Sequence, residues 1–194
     1  MSPIEPWPGA SNSKNFILAV ASLFDGDFSI DWIQELAKTK TTTMLMLLEN
    51  ACQEKMLKKK DLGIFCFADS EIKDQMRRLI PNDHRENLHK KIASLMINEA
   101  VDNDQAIMAA AGQLIHVVNN DLDGCRILND AGDRYRQRGM SEKALECYGK
   151  AIQDLKDKTG KQADLLFIKT VMGYSKDRLS LNTPETTVSI LKKA

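Results

Sequence analysis

Apolar residues recur at helical spacing along most of the chain, and turn-forming residues cut the pattern into segments. The heavily apolar run 15–24 predicts a first helix, ended by Asp25-Gly26-Asp27, a strong turn signal. Ser29 is placed to cap a second helix over 30–39, with Asp31 in its first turn. Ile30, Ile33 and either Leu36 or Ala37 give that helix one apolar face. A third helix is predicted over 42–56, with apolar residues at 44, 45, 47, 48, 51 and 52. The stretch 58–63, three lysines followed by Asp61, Leu62 and Gly63, reads as a turn. The run 64–67 after it is the one convincing strand, and Leu57 could start its hairpin partner. The helical period then returns over 71–80. After Pro81 it resumes to about 98, with Leu88, Ile92, Leu95 and Met96 on one face. A further helix over 103–118 has a small-residue middle, Ala109 to Gly112, that admits a close neighbour. From Asp121 onward two helical pairs are expected, the second made of 163–178 and 184–194.

The sharpest spacing lies between Cys125 and Leu155. Ala131 and Gly132 sit where a helix would touch its neighbour, Tyr135 follows three residues later, and Gly139 ends the helix. Ala144, Tyr148 and Ala151 fall at i, i+4 and i+7 on the next one. Small residues are needed where two antiparallel helices meet, and large ones fill the gaps between. The spacing resembles the tetratricopeptide repeat, although Lys156-Asp157 stands where that repeat carries a proline. The second pair matches less well.

The stretch 62–95 carries a second likeness. Phe65 and Phe67 lie on the strand, Ile72, Lys73 and Asp74 on the next helix, and Arg85, Leu88, His89, Ile92 and Ala93 on the one after. Together with the segment 24–37 this order resembles the STAND class of signal-transduction ATPases and related regulators, including large LuxR-like activators and kinase-coupled sensors. In that class a winged helix leads into tetratricopeptide repeats. The likeness spans roughly 15–155, and Asp69 stands where the family has a histidine. No phosphate-cradling G-x-x-x-x-G-K-[ST] occurs, so no ATP hydrolysis is expected of this chain. The resemblance implies an ATPase switch ahead of this segment and further repeats after Ala194.

The expected fold is mainly α, a winged-helix-like three-helix unit with a small β-hairpin followed by an α–α superhelix. The parts are an irregular lead-in over 1–13, which carries Pro3, Pro6 and Pro8, the winged-helix-like domain over 14–80, a helical linker over 81–120, and repeats over 121–194.

Charge changes the picture by subtraction. Lys plus Arg and Asp plus Glu are each 27, so no net field pulls the chain onto nucleic acid or an anionic membrane. The third helix is also a poor DNA reader: Thr41, Thr42, Thr43 and Met44 open it, and Glu49 opposes phosphate. Lys58, Lys59 and Lys60 read as a solvated turn. The arginines and lysines of 73–91 read as a charged surface, and Met44, Met46, Met56, Met76 and Met96 as core filler. No segment reaches the roughly 18 apolar residues of a membrane span, and none is a convincing signal peptide. The four cysteines (Cys52, Cys66, Cys125, Cys147) have no C-x-x-C spacing and read as reduced thiols of a cytoplasmic protein. His84 and His89 are five apart and His116 stands alone, so no metal or cofactor is expected. His89 reads as structural and His116 as semi-buried.

These observations favour a non-catalytic regulatory fragment of a signalling or transcription-regulating protein. Its partner would be a protein or peptide, or a neighbouring domain of a longer polypeptide. Candidate groove residues are those of the first repeat helix that point away from its partner helix, Asn129, Asp133 and Arg136. The alternative is a winged-helix DNA-binding regulator with a helical sensor or dimerisation domain. An enzyme ranks third and would need His84 or His89 set against a thiolate or carboxylate. Oligomeric state stays open.

Overall fold

The computed structural model describes residue 7 and residues 13–99 and 103–180. Within these, nine helices and a small three-stranded antiparallel sheet form a mainly helical fold. The described residues gather into two compact units, one ending at Leu95 and one beginning at Met96. No helix among them is long and apolar enough to cross a membrane.

The first unit is built around α1 (Ser13–Ala21), which is apolar almost all round and is buried from Phe16 through Ala21. A helix of that composition is stable only when neighbours surround it. The chain then turns through Gly26 into β1 (Phe28–Ser29) and α2 (Ile30–Ala37). Ser29 caps α2 as the sequence suggests, its Oγ accepting from the Asp31 N–H at 3.1 Å. Ile30, Ile33 and Leu36 are the buried stripe of α2, which resolves the choice between Leu36 and Ala37. Then α3 (Thr41–Gln53) buries Met44, Leu48 and Ala51 at i, i+4 and i+7.

The sheet departs from expectation in two places. Lys58, Lys59 and Lys60 do not form a turn; they lie in β2 (Leu57–Asp61), paired with β3 (Ile64–Phe67) in the register Leu57↔Phe67 and Lys58↔Cys66. The hairpin tip is only Leu62 and Gly63. Every second residue of a strand with one solvated face can be polar, and here even the inward set stops at Leu57. The second departure is β1, two residues long, which pairs with β3 and gives the strand order β1-β3-β2. Phe28 sits opposite Phe65, and both rings are fully buried, joined by Phe24 and Trp32 in one aromatic cluster.

Next, α4 (Ser70–Arg78) starts at Asp69, whose carboxylate accepts from the Ile72 N–H at 2.9 Å. That capping task accounts for an aspartate at this position. α5 (Asn82–Glu99) follows. The arginines of this stretch are more than a charged surface. Arg77 Nη2 donates to the Ser22 carbonyl at 2.8 Å, and Arg85 Nε donates to the Ile80 carbonyl at 3.1 Å. Both satisfy carbonyls at helix ends that would otherwise lack partners. Trp7, within the expected irregular lead-in, is itself buried, with its ring against Phe16 and His84.

The second unit holds α6 (Asn103–Leu114), α7 (Leu122–Gln137), α8 (Ser141–Leu155) and α9 (Lys161–Ser180). Each packs on the next, and α9 also touches α7. Asp121 caps α7 by accepting from the Gly124 N–H at 2.8 Å. The expected helix over 184–194 lies outside the described residues.

Candidate functional site

The second unit is organised by one side chain. Tyr148 on α8 is fully buried, and its ring fills the space between α7 and α9. A Cβ added at Gly132 on α7 would stand 2.5 Å from its Cε1, and one at Gly173 on α9 would stand 2.8 Å from its Cζ. Only glycine lets both helices approach the ring this closely. Around the clamp Ala131, Ala144 and Ala151 are wholly buried. Tyr135 is half-buried and donates to the Met108 carbonyl of α6 at 3.3 Å, and Gly139 takes a φ of 72° where α7 ends. Of the expected repeat signature, Ala131, Gly132, Ala144, Tyr148 and Ala151 are thus buried, Tyr135 bonds to α6 and Gly139 lies past the end of α7. The glycine that sequence reasoning missed is Gly173. Its signal was its place among large residues on a helix face.

The groove residues need correction. Asn129 is 1% exposed and does not face an open groove. Its Oδ1 accepts from Thr170 Oγ1 of α9 at 3.1 Å, because a buried amide must be paired. Asp133 is turned toward α8: its Oδ1 accepts from the Tyr148 hydroxyl there at 2.7 Å, and from Arg136 Nη2 of its own helix at 3.0 Å. Asp133 and Arg136 are half-buried. Lys169 of α9 lies 3.4 Å from Asp130 and 3.6 Å from Asp133. The three residues therefore form the polar seam between α7 and its neighbours. Burial pushes the Tyr148 phenol well up, helped by the Asp133 carboxylate. Burial also raises Asp177, on the same seam, against the pull of Arg136.

A second buried network ties the approach to α7 to the end of α8. Asp154, 6% exposed, accepts from Asn120 Nδ2 at 2.7 Å, from the Asn120 backbone N–H at 3.2 Å and from Lys150 Nζ at 2.6 Å. Asn120 Nδ2 also donates to the Leu114 carbonyl at 3.0 Å. Buried, charged and multiply bonded, Asp154 is a structural brace.

Burial raises the Cys125 thiol to about 11 and the Cys147 thiol to about 12, so neither is a thiolate near neutrality. All four cysteines are free. His89 is buried and His84 lies tilted against the Trp7 ring, whereas His116 is exposed, contrary to the expected semi-buried place. No group of three or more His, Cys, Asp or Glu among the described residues could hold a metal ion. Met46 is likewise exposed, at 54%, and does not fill the core.

What the second unit does present is an apolar face. Leu165, Ile168 and Met172 lie at i, i+3 and i+7 on α9 and are each more than half exposed. Comparison with protein-family models, curated proteins and solved structures finds no match to this chain.

Proposed function

We propose that this chain is a non-catalytic protein-interaction module, with a winged-helix-like unit followed by tetratricopeptide-like helices that act as a binding scaffold. The element order α1-β1-α2-α3-β2-β3 with sheet order β1-β3-β2 supports the winged-helix reading. The observation that carries the scaffold reading is the Tyr148 ring held between Gly132 and Gly173. A ring shared by three successive helices makes a stacking unit, and a stacked array ends in a face that needs a cover. The setting implied by the STAND resemblance, a regulatory part of a larger signalling protein, belongs to the same proposal.

The test is a selection of displayed peptides against the full chain, with the binding surface mapped by amide hydrogen exchange. Peptides that protect α7 to α9 support the scaffold reading. Duplex DNA that binds tightly with a steep salt dependence, and no peptide that protects the second unit, overturns it.

A further inference from the structure

We propose that the α8–α9 face of the second unit is a docking groove for an acidic amphipathic helix of another polypeptide. The proposal deepens the scaffold reading and rests on it. It joins two features: a cavity of about 390 Å³ between the end of α8 and the start of α9, and the exposed apolar stripe that runs on from it along α9. Leu155, Ala163, Phe167 and Ile168 give the cavity its apolar wall, and Lys156 and Lys158 stand at it as well. Ile168 belongs to both features, so cavity and stripe are continuous, with Leu165 and Met172 beside and beyond it. A row of apolar anchors at i, i+3 and i+7 beside an open pocket is what an amphipathic helix lays itself on.

Charge selects the occupant. Lys156 and Lys158 line the mouth together with Asp164, and Lys161 and Lys176 lie on α9, against Asp157 before it. Lys158 spends one donor on Asn119 Oδ1 at 3.2 Å, and no ion pair within the described residues engages Lys156 or Lys161. The cations stay in surplus, so carboxylates flanking the apolar row of a partner would meet them. The chain's own end is a poorer match, because residues 181–194 carry Glu185 against Lys192 and Lys193. A second copy would bring the same surplus of lysine to the same face.

The test uses a helical peptide with leucines at i, i+3 and i+7 flanked by glutamates, a counterpart with lysines in place of the glutamates, and fluorescence anisotropy with the full chain. The acidic peptide is expected to bind and the basic one to bind at least about tenfold more weakly. Ile168→Glu, at an exposed site where circular dichroism checks the fold, is expected to lose at least about tenfold. Lys156→Glu with Lys158→Glu is expected to reverse the preference between the two peptides. Equal binding of both peptides, or an Ile168→Glu chain that binds as well as before, overturns the proposal. So does Leu191→Asp if it tightens the acidic peptide, since the chain's own end would then be the occupant. A dimer in sedimentation that Ile168→Glu dissolves overturns it in favour of a second copy. Displayed peptides that protect α7 while the acidic probe fails would sink this groove and leave the scaffold reading standing.

Discussion

Glycines in helices normally cost stability, so their worth here turns on what a methyl group would meet. At Gly132 an added Cβ would lie 2.5 Å from the Tyr148 ring, a distance no relaxed contact tolerates, and α7 or the ring must move. Gly132→Ala is therefore expected to destabilise by about 2 kcal/mol, overpacking outweighing the roughly 1 kcal/mol of helix propensity gained. Gly173→Ala, at 2.8 Å, should behave alike. Gly149 on α8 supplies the contrast: its Cβ would make ordinary contact with Tyr174 at 3.8 Å, so Gly149→Ala is expected to stabilise by about 0.5–1 kcal/mol. Urea midpoints of the three variants check this, and equal shifts would defeat the clamp. Tyr148→Phe keeps the ring but deprives Asp133 of its 2.7 Å donor, and is expected to cost about 1–2 kcal/mol. Gly132 was legible because its spacing to Ala144, Tyr148 and Ala151 repeats a helix contact, whereas Gly173 was not. The inward turn of Asn129 was not, because its partner Thr170 lies 41 residues further on and no local pattern announces it.

Among elements, the legible and the illegible divide along the same line between local and distant causes. Helix limits came close wherever a cap or turn residue marks them, as at Ser29, Asp121 and Gly139. The strand of lysines did not, because lysine has weak intrinsic strand preference; Lys58 and Lys59 are held extended by pairing with Cys66 and Phe65 across the hairpin, and Lys60 sits at a register shift. Strand β1 is two residues long and exists only through β3. The α7–α8 pair carries a pH signature of its own. Cys125 and Cys147 have thiols raised from 9.0 to about 11 and about 12 by burial, so the folded state holds its protons more tightly than the unfolded chain does. Their contribution is complete below pH 9 and is lost as pH rises through 11 and 12, at up to about 1.4 kcal/mol per thiol for each pH unit. Thermal midpoints should then fall steeply above pH 9, and Cys147→Ala should flatten that fall even though its cavity lowers the midpoint at neutrality. An alkaline slope unchanged in that variant would count against the buried-thiol account. Asp154→Ala deprives Lys150 and Asn120 of their shared buried acceptor and should cost about 2–4 kcal/mol in urea unfolding.

For the molecule as a whole, the deciding contrast is between nucleic acid and protein as the partner, and the surface chemistry of the first unit bears on it directly. The exposed side of α3 offers Thr41, Thr42, Leu45, Met46, Glu49 and Asn50. A helix entering the major groove needs donors near its start, and the apolar pair Leu45 and Met46, at 37% and 54% exposure, would meet phosphate and water there. Glu49 would add repulsion. The lysines of β2 are exposed and could neutralise phosphates, yet Lys58 also reaches back to the Ala68 carbonyl at 3.0 Å, and Lys59 and Lys60 alone give few counterions to release. A protein that neutralises about two phosphates has a salt slope near −2, far from the steep dependence of a dedicated DNA binder. The full chain is thus expected to bind random duplex DNA no more tightly than about 10⁻⁴ M at physiological salt, without sequence preference. Anisotropy titrations at several salt concentrations measure both affinity and slope. Lys58, Lys59 and Lys60 changed together to glutamine should abolish whatever weak binding there is, while Glu49→Lys should strengthen it. A wild-type slope of −5 or steeper would instead place α3 and β2 on DNA, and the partner of this chain would have to be sought there.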